Sequence, residues 1–253
     1  MYLVTKIPLS SMSLSCLGLN NKGNPTMIHF SKTQAKDIEE QLAHQKKLSS
    51  GTYNLDTVIN QLDLDFRRKC YICEDKVKSI RIEHFRPQCL GIDEKFNWYN
   101  IFNACEHCNA IKSDYFRNLI DCTKEYPDQH IRFEVVPLNP IGQQVVLTKT
   151  SISTIHNDTI DLLNAVYRGT EDLAHLETNK RKQIESESIV EDLLEELNDL
   201  DDLIKDYLAE RDPDDLLEIT DEVNNSSKFT AFKRWFVKNN SDYNHELIKY
   251  FED

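Results

Sequence analysis

The chain has 253 residues, of which 40% are hydrophobic and 29% charged, a balance that fits a folded globular protein and excludes disorder along the whole length. No apolar run approaches the roughly 20 residues a membrane-spanning helix needs, so no membrane association is expected. The net charge of −13 excludes a broadly basic nucleic-acid binder.

Met1 to Leu19 is interrupted by Lys6 and Pro8 and lacks the basic start and small-residue cleavage site of a secretory leader, so the expected location is the cytoplasm. Met12 and Met27 are alternative starts. Met27 to Leu48 reads as a solvated amphipathic helix broken by Ser49, Ser50 and Gly51, and residues 1–52 as an N-terminal extension and helix. Asn54 to Arg68 carries an apolar stripe of Val58, Ile59 and Leu62, with Asp56 suited to the first helical turn. Val77, Ile80 and Ile82 give a short β-rich stretch, Pro87 to Lys95 a loop, and Asn97 to Ala104 a short aromatic segment. A helix is expected to open near Cys108 and run through Tyr115, which closes a core over 53–126.

Ile131 to Val136 and Val145 to Thr150 read as strands paired around Asn139 to Gly142, followed by a helix capped at Asp158 or Thr159 and ended by Gly169; these make up 127–170. A long helix from Glu171 to Glu210, stopped by Pro213, and two short helices near Thr230 to Val237 and Tyr243 to Phe251 form an acidic region, 171–253. The acidity is local. Glu171 to Glu222 holds 20 acidic and 5 basic residues, which leaves +2 for everything else. Gln61 to Glu134 is nearly balanced, with 12 basic and 13 acidic residues, so a phosphate-binding surface is possible there without a strong electrostatic footprint.

Seven cysteines, an odd number without a secretory leader, argue against a disulfide framework. Cys70 and Cys73, and Cys105 and Cys108, form two C-x2-C pairs separated by 31 residues. Each pair offers two thiolates from one tight turn, and two such turns complete a tetrahedral structural Zn²⁺ site. Cys16, Cys89 and Cys122 are expected to be free thiols. Between the pairs lies Ile80-Arg81-Ile82-Glu83-His84-Phe85-Arg86-Pro87. Consecutive residues on an extended segment point to opposite faces. A carboxylate is a hard ligand for a divalent cation, and an imidazole titrates near neutrality and suits a general base. Asn100 precedes Cys105 by five residues, and Asn109 and Lys112 follow Cys108. A lysine on the helix face of Asn109 could contact a phosphate, as could Arg86; either could equally be a solvated surface charge. His107 is expected to face solvent. Trp98, Tyr99 and Phe102 are more readily core packing than base-stacking residues.

The order C-x2-C, Glu-His-x-x-Pro, Asn-x4-C-x2-C-Asn-x2-Lys resembles the HNH endonuclease family in its four-cysteine zinc form, over the 47 residues from Cys70 to Phe116. The resemblance implies an α+β protein with a small ββα-metal core set among helices. It also implies His84 as general base, Glu83 and Asn109 as ligands of a catalytic Mg²⁺ or Mn²⁺, and Asn100 as a brace for the loop that carries His84. The family often has His where this chain has Asn109. The "IEHFRP" and "NWYN" elements, the hairpin and the Asn157 to Asn164 helix are similar to the HNH subunits of Septu-type anti-phage systems, also found beside some retrons. That likeness implies DNA as substrate and an ABC- or SMC-like ATPase as partner. The acidic helices would dock the ATPase or a second copy of the chain, or else simply cap the core. Two other functions stay open: a zinc-stabilised module that binds nucleic acid or protein without cutting, and an RNA-cleaving toxin.

Overall fold

A computed structural model describes residues 29–76, 81–137, 142–150, 153, 155–169 and 180–248. The N-terminal extension, Val77 and Ile80, most of the hairpin turn, and the start of the long acidic helix lie outside the described residues. The chain is mixed helix and sheet, with two small antiparallel sheets among the described residues.

Helix α1 (Lys36–Lys46) buries Ile38 and Leu42, one turn apart, and α2 (Asp56–Asp65) buries Val58 and Leu62 on its apolar stripe. The expected helix from Met27 starts only at Lys36. The preceding segment is drawn out as a strap across the core instead. Phe30 N–H donates to the Cys122 carbonyl (3.0 Å), Lys32 Nζ to the Ile101 carbonyl (2.8 Å), and the Thr33 backbone and hydroxyl both donate to the Asp65 carboxylate (2.9 and 2.7 Å). Those tertiary bonds satisfy the backbone without a helix.

Strand β1 (Arg81–His84) pairs antiparallel with β2 (Ile101–Ala104), with Glu83 opposite Phe102 and His84 opposite Ile101. The expected loop between them contains a 3₁₀ turn, Gln88–Leu90, and a short helix, α3 (Ile92–Lys95), on either side of Gly91. Gly91 has φ of +139°, which a side chain would strain. Helix α4 (Glu106–Lys112) follows β2 directly and stops at Ser113, whose φ of 48° turns the chain out of the helix three residues before the expected end.

A four-residue helix, α5 (Pro127–His130), leads into the second sheet. Strands β3 (Ile131–Pro137) and β4 (Gln143–Lys149) form the expected hairpin, and α6 (Asp158–Arg168) ends at Gly169, which sits at φ +86°. Helix α7 (Lys180–Glu210) buries Leu193, Leu197, Leu200, Ile204 and Tyr207, alternating steps of four and three that keep one seam inward. Pro213 does more than stop this helix. It occupies the first turn of α8 (Pro213–Glu222), whose N-cap Asp212 accepts from the Asp214 N–H at 2.9 Å. Helices α9 (Thr230–Asn239) and α10 (Ser241–Leu247) complete the described chain.

One apolar core runs through all four sequence segments, from Phe30 and Leu42 through Phe66, Phe102 and Phe133 to Leu197 and Phe232. A second cluster, with Leu200, Ile204, Ile219, Val223, Val237 and Leu247, joins α7 to α8, α9 and α10. The acidic helices therefore cover the cysteine-rich core. No helix is long and apolar enough to cross a membrane among the described residues.

Candidate metal centre and adjoining acid–base site

The Sγ atoms of Cys70, Cys73, Cys105 and Cys108 all lie within 4.8 Å of one another, with Cys73 and Cys105 at 4.0 Å. Tetrahedral Zn–S bonds of about 2.3 Å place sulfurs roughly 3.8 Å apart, so the four side chains fit an ion such as zinc. Three of them are buried and Cys105 is half-buried. Burial and mutual hydrogen bonding hold the Cys108 thiol well above its ordinary value, and the Cys105 thiol does the same to Cys73. A bound divalent cation reverses that preference by stabilising thiolates.

The first knuckle is closed by hydrogen bonds from Glu74 N–H to the Cys70 carbonyl and from Cys70 N–H to the Asp75 carbonyl, both 2.9 Å. Glu74 takes the left-handed conformation (φ 59°) that glycine usually fills. Its side chain offers a reason. The buried carboxylate accepts from Lys69 Nζ (3.4 Å) and from the Ala231 N–H at the start of α9 (3.3 Å). Lys69 also donates to Thr230 Oγ1 (3.0 Å) and to the Asn225 carbonyl (3.2 Å). In the second knuckle the Cys105 sulfur caps α4, accepting from the Cys108 N–H at 3.3 Å. Asn103, fully buried on β2, ties the hairpin to the first knuckle. Its Nδ2 donates to the Lys69 carbonyl (2.8 Å) and its own carbonyl accepts from the Tyr71 N–H (3.0 Å). Tyr167 donates its hydroxyl to the Cys73 carbonyl at 2.8 Å. None of Lys69, Glu74, Asn103 and Tyr167 stands out in the sequence, because their partners are up to 161 residues away.

At the end of β1 the pleat separates Glu83 from His84. The imidazole meets Tyr53 edge-on, ring centroids 4.7 Å apart, and its Nε2 lies 2.9 Å from the Lys95 carbonyl. A carbonyl accepts only, so Nε2 carries the proton and Nδ1 is left as the basic lone pair. Nδ1 makes no hydrogen bond among the described residues. Burial pushes the imidazole below its ordinary pKa, partly offset by the Lys95 carbonyl. Tyr53, which lies outside every motif, is a residue that sequence reasoning missed.

Asn100 is buried and makes three bonds to the loop after His84. Its Oδ1 accepts from the Arg86 N–H (2.7 Å), and its Nδ2 donates to the carbonyls of Arg86 (2.9 Å) and Glu94 (3.0 Å). The Arg86 guanidinium is exposed and lies 3.4 Å from Glu94.

The Glu83 carboxylate meets α4. Lys112 donates from Nζ to Glu83 Oε1 (2.5 Å) and to the His84 carbonyl (2.9 Å). Burial pushes the Glu83 carboxyl up, and the ammonium opposes that rise. Lys112 is 0% exposed and held in an internal ion pair, which matches neither the phosphate contact nor the solvated charge left open by the sequence. Asn109 sits one turn earlier on α4, half-buried, with no side-chain hydrogen bond among the described residues. A buried carboxylate and an uncommitted amide are the hard oxygen donors that Mg²⁺ or Mn²⁺ takes, although one carboxylate oxygen is engaged.

Three further expectations are settled by burial. His107 is buried rather than solvent-facing, with Nδ1 3.0 Å from Glu185 and Nε2 3.3 Å from the Val166 carbonyl. Trp98 and Phe102 are core residues as expected, whereas Tyr99 is exposed. Cys89 is exposed and Cys122 buried, neither in a disulfide; Cys16 lies outside the described residues.

The chain matches no family model, no curated protein and no solved structure.

Proposed function

We propose that this chain is a metal-dependent HNH-type endonuclease that hydrolyses DNA phosphodiesters, its small core stapled by a structural zinc ion at Cys70, Cys73, Cys105 and Cys108. The observation that carries the reading is the state of His84. Its tautomer is set by the Lys95 carbonyl, its Nδ1 is uncommitted, and it stands beside Glu83 on a hairpin that runs straight into the cysteine-capped helix bearing Asn109.

In this reading Nδ1 of His84 removes a proton from the attacking water, and Asn100 holds the following loop so that Lys95 can orient the ring. Glu83 and Asn109 would hold the divalent cation, which supplies charge neutralisation at the phosphate and the departing 3′ oxygen. Arg86 contributes an exposed cation for the nucleic-acid backbone. The part played in anti-phage defence with an ABC- or SMC-like ATPase rests on the resemblance alone. Copurification with such an ATPase, and its loss when the acidic face of α7 is neutralised, would support it.

The test is plasmid DNA incubated with the full chain and Mg²⁺ or Mn²⁺, alone and with whatever protein copurifies. Nicking that disappears in His84→Ala, while zinc content and melting temperature persist, is the expected result. Persistence of nicking in that variant would overturn the assignment. RNA offered in the same assay separates the ribonuclease alternative. The engagement of Glu83 by Lys112 favours a second reading, a zinc-stabilised module that binds without cutting; for it, DNA binding without nicking under every metal is the expected outcome.

A further inference from the structure

Lys112 has its whole side chain buried, and its ammonium reaches two acceptors, Glu83 Oε1 and the His84 carbonyl. Helix α4 ends immediately after it, with Ser113 N–H returning to the Asn109 carbonyl at 3.1 Å, so the lysine leaves from the last turn and points under the hairpin. A buried ammonium requires a counter-charge. Here the counter-charge is the same carboxylate that the proposed function gives to a divalent cation.

We propose, resting on that reading, that Lys112 is a positioning residue that fixes Glu83 and competes with the divalent cation for its carboxylate. Two effects follow from the placement. The ammonium holds the Glu83 side chain and the His84 backbone in one contact, coupling the candidate ligand to the candidate base. It also sets a positive charge beside any cation that the Glu83 carboxylate would hold. Like charges that share one carboxylate in a buried setting repel. The cation affinity of the site is thus held down, and a phosphate, which brings negative charge, relieves the repulsion. Cation retention becomes dependent on the substrate's phosphate.

The experiment is Mn²⁺ titration of the zinc-loaded full chain, with free Mn²⁺ followed by electron paramagnetic resonance. Mn²⁺ does not displace zinc from four thiolates. Lys112→Gln, which keeps a donor for the His84 carbonyl, is expected to tighten Mn²⁺ binding about tenfold or more. Lys112→Arg should stay close to the parent, and Glu83→Gln should abolish the site. Unchanged or weaker binding in Lys112→Gln, with a site that still depends on Glu83, overturns the competition and leaves the nuclease reading standing. Absence of any Glu83-dependent Mn²⁺ binding in both the parent and Lys112→Gln overturns the reading itself. Should Lys112→Gln fail to fold, the unaltered chain decides the matter through the ¹⁵N resonance of the Lys112 ammonium during Mg²⁺ titration. A shift that saturates with Mg²⁺ supports competition, and an unmoved resonance overturns it.

Discussion

Burial holds the His84 imidazole below its ordinary pKa, so the ring is neutral at pH 7 and its Nδ1 is ready to accept a proton. The sign follows for both rate and stability. A depressed histidine contributes stability that is present above the unfolded value, near 6.5, and lost as pH falls through the folded one. The nicking rate should likewise rise with pH along a limb lying below about pH 6.5 and then flatten. A pH–rate profile whose acid limb lies above neutrality would contradict this environment for His84. His84→Ala should slow nicking by about 10²- to 10⁴-fold, the range for general-base removal. Asn100 acts on the same ring at one remove. Asn100→Ala leaves Arg86 N–H and the Arg86 and Glu94 carbonyls without their partner. It should lower unfolding stability by about 2–3 kcal/mol in denaturant titration.

At the scale of elements, the two cysteine pairs do different structural jobs. The first closes a knuckle that Asn103 ties to the hairpin, and the second caps α4, so an ion held by all four would join both ends of the β1–β2–α4 unit. Stripping zinc with a strong chelator, or substituting Cys108→Ser, should lower the melting temperature sharply and expose amides of residues 70–73 and 101–108 to hydrogen exchange, with restoration on zinc addition to the native sequence. Helix α5 offers a separate pH prediction. Asp128 is 2% exposed, both carboxylate oxygens lack hydrogen-bond partners among the described residues, and burial pushes its carboxyl up to about 8. A raised carboxyl contributes stability present below its unfolded value, near 3.9, and lost as pH climbs towards about 8. Relative to Asp128→Asn, the parent chain should therefore lose up to about 5 kcal/mol between pH 4 and pH 8. A stability difference that stays flat with pH would show that Asp128 is ionised throughout.

Across the whole molecule, the acidic helices and the cysteine-rich core share one interior. Leu193, Leu197, Phe229, Phe232 and Trp235 belong to the same apolar cluster as Cys70 and Phe102, and Glu74 beside the first knuckle receives the N–H of Ala231. Each large side chain in such a cluster contributes about 1.5–3 kcal/mol, against a typical total of about 5–15 kcal/mol. A chain ended at Gly169 should therefore fail to hold a stable zinc core, with loss of exchange protection at residues 70–108. If the truncated chain instead binds zinc and melts cooperatively, the C-terminal helices are an appendage and not a cover. Lys233 and Arg234 are the buried charges of α9, Lys233 paired with Glu196 and Glu222, and much of the acidity lies on the outer side of α7. The seam residues of α7 face inward, while Glu191, Asp199, Asp202 and Glu210 are exposed, which makes this face electronegative.

Local chemistry made much of this legible in the sequence. The C-x2-C spacing marked the four cysteines that converge, the turn residues Asn139 to Gly142 marked the hairpin between Ile131 and Thr150, helical spacing of leucines marked the stripe of α7, and Gly169 marked a helix end. Asn100 drew notice only through the resemblance, and its two side-chain atoms bond the backbone of Arg86 and Glu94. What the sequence left open depends on partners far along the chain. Whether Lys112 faces a phosphate or a carboxylate, whether His107 meets water or Glu185, and whether residues before Lys36 coil into a helix or cross the core as a strap are decided by what packs there. Spacing specifies which side chains share a turn or a face; only the closed interior determines which charges must find each other within it.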